Sequence, residues 1–131
     1  MANISAYLGK AMLDWVLNGA TPTRPGANWG GLAWGTPNST GGSELNTSIG
    51  YSRVSALFAA ANSPAGSASN SAAMTFGPFS SAMSILGIHI WDGSPVGSSN
   101  MLMFGTLQTA RTVGPGDSLV VAAGALTITL S

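Results

Sequence analysis

His89 is the only histidine in the chain, and the carboxylates that could work with it are Asp14, Glu44, Asp92 and Asp117. A nucleophilic triad or a histidine-based zinc centre needs such groups converging on the ring. These four are spread from one end of the sequence to the other. His89 lies between Ile88 and Ile90, so on a strand its ring faces opposite to theirs. The reading that follows is a hydrogen-bonded sheet residue. With no cysteine, neither a disulfide nor a thiolate metal site exists. Gly30-Gly31 lacks the following helix and acidic ribose partner of a dinucleotide loop, and no phosphate loop with lysine occurs. The expectation is therefore no catalytic residue, no metal ligand, no cofactor and no enzyme activity. Three Asn-x-Ser/Thr sequons, at Asn3, Asn38 and Asn46, matter only in a secreted eukaryotic protein. Trp15, Trp29, Trp34 and Trp91 are the remaining conspicuous groups. Tryptophan stacks on sugars, but such platforms usually stand beside several charged or amide side chains, and charge is scarce here. Core and interface anchors are the preferred reading.

That scarcity shapes the surface. Lys and Arg number 4 and Asp and Glu 4, which is 6% of 131 residues, where about 25% is usual. The bases Lys10, Arg24, Arg53 and Arg111 are scattered, so no basic patch for nucleic acid assembles. Yet the chain is not membrane-spanning by helices, because its longest apolar run, Leu119 to Leu126, falls far short of the roughly 18 residues a spanning helix needs. A folded monomer of this mass exposes about 6,400 Å². An interface-sized patch of about 800 Å² then carries about one charge, so desolvation obstructs association almost nowhere. The chain is expected to pack against copies of itself or against another protein.

The elements that must hold these groups read as one domain, 1–131, with an N-terminal helix in 1–19 and a β-sandwich in 20–131. Ile4, Leu8, Met12 and Trp15 recur at helical spacing as one apolar stripe, Asn3 or Ser5 can cap it, and Asn18-Gly19 stops it. Lys10 and Asp14 sit four apart, off that stripe. From Ala20 the helical period disappears. Strands are predicted at Trp29–Trp34, Tyr51–Ala60, Ala68–Phe76, Met83–Trp91, Met101–Gln108, Ser118–Ala122 and Leu126–Leu130. Ile85, Leu86, Ile88, Ile90 and Trp91 are dense enough for a central strand covered on both sides. Leu126, Ile128 and Leu130 share one face of the last strand. Gly114-Pro115-Gly116-Asp117 is a tight turn, and Asp92-Gly93 opens a loop to Asn100. Surface loops are expected at Pro22–Asn28, Thr36–Thr47 and Asn62–Asn70. The fold class is mainly β: an antiparallel, jelly-roll-like β-sandwich with one N-terminal α-helix.

Ordered motifs run through almost the whole chain: Met1 to Leu8 leading to Leu17-Asn18-Gly19, Leu32-Ala33-Trp34-Gly35-Thr36-Pro37, Gly42-Ser43-Glu44, Gly50-Tyr51-Ser52-Arg53, Gly66 to Asn70, Met74-Thr75-Phe76, Gly87 to Asp92, Met103 to Leu107, Val113 to Asp117 and Ala122 to Leu126. In this order they resemble a family of small tailed-phage virion proteins often labelled tail fiber proteins. Asn28-Trp29-Gly30-Gly31 departs from that pattern, where a β-branched strand would stand. The resemblance implies a non-enzymatic virion protein, made in the host cytoplasm. A fiber needs length from repeats or a coiled coil, and this chain has neither. The first expectation is therefore a capsid decoration, or cement, protein on the head surface, forming a homo-oligomer, a trimer, and clamping the major capsid protein. The alternative is a tail fiber or receptor-binding component that meets tail proteins or a host glycan, with Trp91 as the stacking platform. No nucleic-acid or membrane partner is expected. Ile4, Tyr7, Leu8, Met12 and Trp15 of the helix, and Thr36, Pro37, Asn38, Glu44 and Leu45 of the Thr36–Thr47 loop, are the predicted partner contacts.

Overall fold

Ser5 decides where the helix begins. Its hydroxyl accepts from the Leu8 N–H at 3.0 Å, which satisfies one of the free donors of the first turn. The computed structural model describes residues 2–23, 25–62 and 66–129, with Ala2 described by its backbone alone. A short strand β1 (Ala2–Ile4) leads into helix α1 (Ala6–Asn18), which Gly19 closes in the left-handed conformation. The strands that follow are β2 (Trp29–Ala33), β3 (Val54–Ser55), β4 (Ser67–Ser69), β5 (Met74–Phe76), β6 (Met83–Trp91), β7 (Met101–Val113), β8 (Leu119–Val121) and β9 (Thr127–Thr129). Five of them form one antiparallel sheet in the order β1-β7-β6-β2-β3, while β4-β9 and β5-β8 form two short ribbons. The ribbons pack on the sheet through Met74, Phe76, Leu119, Val121 and Ile128, against Leu32, Ile85, Ile88, Ile90 and Leu102. The fold is mainly β, antiparallel and β-sandwich-like, with one helix at the N-terminus.

The strand that sequence density marks as central, Met83–Trp91, is central, hydrogen-bonded to β7 and β2 and buried over most of its length. The Gly114–Asp117 turn also forms, with the Asp117 N–H on the Gly114 carbonyl and the Asp117 carboxylate on the Gly114 N–H.

Several boundaries differ, each for a tertiary reason. Ile4 does not start the helix stripe. It pairs in β1 opposite Met103, on an edge that β7 leaves open. The predicted strand Tyr51–Ala60 shrinks to Val54–Ser55 because other groups hold the next stretch of the β2 edge. The Leu32 N–H donates to the Tyr51 hydroxyl and the Leu32 carbonyl accepts from Leu45. Ala68–Phe76 divides into β4 and β5 because the buried Asn70 amide donates to the Ala72 and Ala122 carbonyls and accepts from Leu126, welding a turn between them. β7 runs past Gln108 to Val113, with a register shift opposite Ile85 and Gly87 that absorbs its exposed polar middle. Arg24, Leu130 and residues 63–65 of the Asn62–Asn70 loop lie outside the described residues.

Candidate functional site

Strand register places Gly31, His89 and Trp91 on one face of the large sheet, opposite the face that carries Leu32, Ile88 and Ile90. Over that face fold the 34–47 loop and the 92–100 loop, and between them sits a polar knot. Arg53 Nε and Nη2 reach Glu44 Oε1 and Oε2, each at 2.7 Å, a bidentate pair. Arg53 Nη1 donates to the carbonyls of Gly93 and Pro95, at 2.9 and 2.8 Å. Its guanidinium lies over the Trp91 ring, 3.7 Å from the centroid. The Tyr51 hydroxyl donates to Glu44 at 2.7 Å while accepting from Leu32. Burial, reinforced by the Glu44 charge, pushes the Tyr51 hydroxyl far above its ordinary pKa, so it stays a donor. One arginine thereby ties the 34–47 loop to the 92–100 loop, and Asp92 closes the latter by accepting from the Asn100 backbone and side-chain amide.

His89 completes the layer but not as a hydrogen-bonded sheet residue. Its ring is wholly buried, edge-on to Trp91, and neither nitrogen has a partner. Burial holds its pKa down to about 4, with Arg53 adding to the effect against the opposing charge of Glu44. It is a neutral packing ring near neutral pH. The Gly30-Gly31 departure has the same origin. A Cβ on Gly31 would stand 2.8 Å from the Tyr51 hydroxyl, 2.9 Å from Trp91 Nε1 and 3.0 Å from Glu44 Oε1, so only glycine admits the knot. Among the described residues, no three His, Asp or Glu side chains converge as metal ligands would.

The knot corrects several expected contacts. Glu44 faces inward, Leu45 is a core residue, and Pro37 is buried with its ring over Gly87. None of the three offers a surface to a partner. Trp91 cannot be a sugar platform, because it is buried beneath Arg53 and Gly41. Trp34, more than half exposed, is the accessible ring of that loop. Thr36 and Asn38 are exposed, the Asn38 side-chain Oδ1 accepting from both the backbone N–H and the hydroxyl of Thr40 and from the Gly42 N–H.

The helix and this loop, the two predicted contact elements, do meet. The Ala6 N–H, a free donor of the first turn of α1, is taken by the Ser39 carbonyl at 3.0 Å. Leu8 and Met12 are half-buried, Leu8 against the core, whereas Tyr7 and Trp15 are exposed. No residue of α1 is buried. Sequence reasoning missed a second apolar row on the same helix: Leu13, Val16 and Leu17 are 61%, 69% and 77% exposed. Their i, i+3 and i+4 spacing was the available signal. It also missed the partnership of Glu44 with Arg53, which no local spacing reveals.

A rigid β-sandwich-like body with its ion pair locked inside and an apolar helix on its flank is the build of a structural component. Residues 3–129 match the family model described as Podophage GP4 fiber I protein gp80, and the chain belongs to that family. It is a phage structural protein of the virion, as the ordered motifs implied. No curated protein matches the chain.

Proposed function

We propose that this chain is a non-enzymatic subunit of a phage tail fiber. The family's description names a fiber, which favours the second of the two expectations over the first. The observation that carries the structural role is where the uncovered apolar groups lie. Of the eight large hydrophobic side chains exposed among the described residues, five (Tyr7, Leu13, Trp15, Val16 and Leu17) stand on α1. Scattered exposed apolar residues are ordinary, but a cluster on one short helix marks a surface built for attachment. The knot supports the same role, since it makes the loops beside α1 rigid without offering groups for catalysis. Antibody labelling of purified virions tests the reading: label along the tail fibers supports it, and label confined to the head overturns it.

The cement reading keeps one supporting observation. The sequence has no internal repeat, and among the described residues no helix is long enough for an extended shaft. In that case, α1 would bridge capsid subunits, and head labelling is its signature. A host-glycan role, if added to the fiber reading, falls to Trp34. Loss of host-cell binding in a folded Trp34→Ala protein is its check.

A further inference from the structure

We infer that the groove between β7 and β8 binds an acidic sugar: one anionic group, a carboxylate or a phosphate, on a hydroxylated ring, with Arg111 taking the anion. Neither α1 nor Trp34 lines this groove, so the site goes beyond the structural role and does not rest on the fiber reading. Three observations lead to it.

The first is the side of the strand on which Arg111 stands. β7 sets Arg111 opposite Ile85, and directly opposed residues share a face. Ile85 is a core residue, and so is Val113, two residues further along β7. Arg111 is therefore on the core-facing side of the sheet, yet it is exposed. The sandwich does not close there. An open groove of about 600 Å³ separates β7 from β8, with Ile88, Leu119 and Val121 along its apolar floor.

The second is charge. Arg111 has no ion pair among the described residues. The four acidic side chains of the sequence are engaged elsewhere: Asp14 with Lys10, Glu44 with Arg53, Asp92 with Asn100 and Asp117 with the Gly114 N–H. An anion for this guanidinium comes from outside the chain.

The third is the bulge in β7. Ile85 pairs with Arg111 and Gly87 with Thr106, so Leu107–Ala110 stand against Leu86 alone. A bulge re-aims side chains, and this one carries Gln108 and Thr109 to the groove, beside Thr106.

These groups select the ligand. A guanidinium fork takes a carboxylate or phosphate in two parallel bonds. Hydroxyls and an amide both donate and accept, as ring hydroxyls require, and the floor suits the C–H face of a ring. An aliphatic acid would leave the threonines and Gln108 without partners. A polyanion would need more than one cation. The volume is that of a small-molecule site.

The test is an NMR titration of the whole protein with galacturonate and with glucose 6-phosphate, against glucose and inorganic phosphate. At least one acidic sugar is expected to saturate with a Kd on the order of 1 mM, shifting the amides of 106–111 and 119–121. The sugar that binds names the anion. Arg111→Gln should weaken it at least about tenfold, and Arg111→Lys, which keeps the charge without the fork, by less. Both variants should keep the wild-type spectrum outside the groove. Saturation by neither sugar, equal binding of inorganic phosphate or of glucose, or binding that survives Arg111→Gln overturns the inference. So does a folded Arg111→Gln protein that fails to join virions, since an acidic side chain of another virion protein then takes the guanidinium. Antibody label confined to the head removes the fiber reading and leaves the sugar site.

Discussion

Arg53–Glu44 and Lys10–Asp14 have the same chemistry in opposite surroundings. The first is sealed beneath two loops, and each partner has further hydrogen bonds. The second stands in solvent on a helix whose neighbours are apolar. The usual arrangement, apolar inside and charged outside, is broken in each place in a different way: charge is buried at the first, and apolar side chains are exposed around the second. Inside, a buried pair costs desolvation that only dense hydrogen bonding offsets, so it fixes one loop geometry. Outside, an exposed pair adds little stability, but it neutralises the helix surface. One region uses charge to hold a shape; the other hides charge so that the shape can be joined.

The comparison breaks most directly at Arg53. Arg53→Ala leaves Glu44 buried without its partner and should cost about 3–5 kcal/mol, read as a lower urea midpoint. A loss below 1 kcal/mol would show that water replaces the guanidinium and that the knot does not hold the loops.

Acid should loosen the packing around the knot. His89 titrates near 6.5 when unfolded and at about 4 when folded. Between those values the unfolded chain binds the extra proton, so this contribution is full above pH 6.5 and is lost as pH falls toward 4. The total is about 3 kcal/mol at most. His89→Leu should flatten that part of a pH series of melting curves; an unchanged slope would place the acid sensitivity elsewhere.

Gly31→Ala pushes a methyl into the knot, with an expected cost of about 1–3 kcal/mol. The same substitution at Gly9 of α1 meets only Ile4, at 3.9 Å, and should not destabilise the monomer. Ser5→Ala removes the α1 cap at a cost of about 1 kcal/mol, visible as reduced helix signal with the sheet unchanged. The smallest effect belongs to the exposed pair: Asp14→Asn should leave the urea midpoint of dilute protein unchanged.

The elements most legible in the sequence were those whose cause is local. β6 was bounded correctly because a dense aliphatic run has few alternatives to a buried strand. α1 stopped at Gly19 because a left-handed cap is a one-residue signal. β3 was overdrawn because the residues before it, Tyr51 and Arg53, commit their side chains to Glu44 and lie outside the sheet pairing. Three of the five expected contacts on the loop faced inward, since Pro37, Glu44 and Leu45 answer to Gly87, Arg53 and the core.

Composition alone determined that this surface would be short of charge, and periodicity alone that a β body would carry an amphipathic helix. Which charges vanish inside, and which apolar residues remain outside, only the tertiary structure decided. Burial depends on groups far apart in the chain: Glu44 becomes an interior residue only once Arg53 and the 92–100 loop close over it, and Leu13, Val16 and Leu17 stay uncovered only because the sheet takes the other face of their helix.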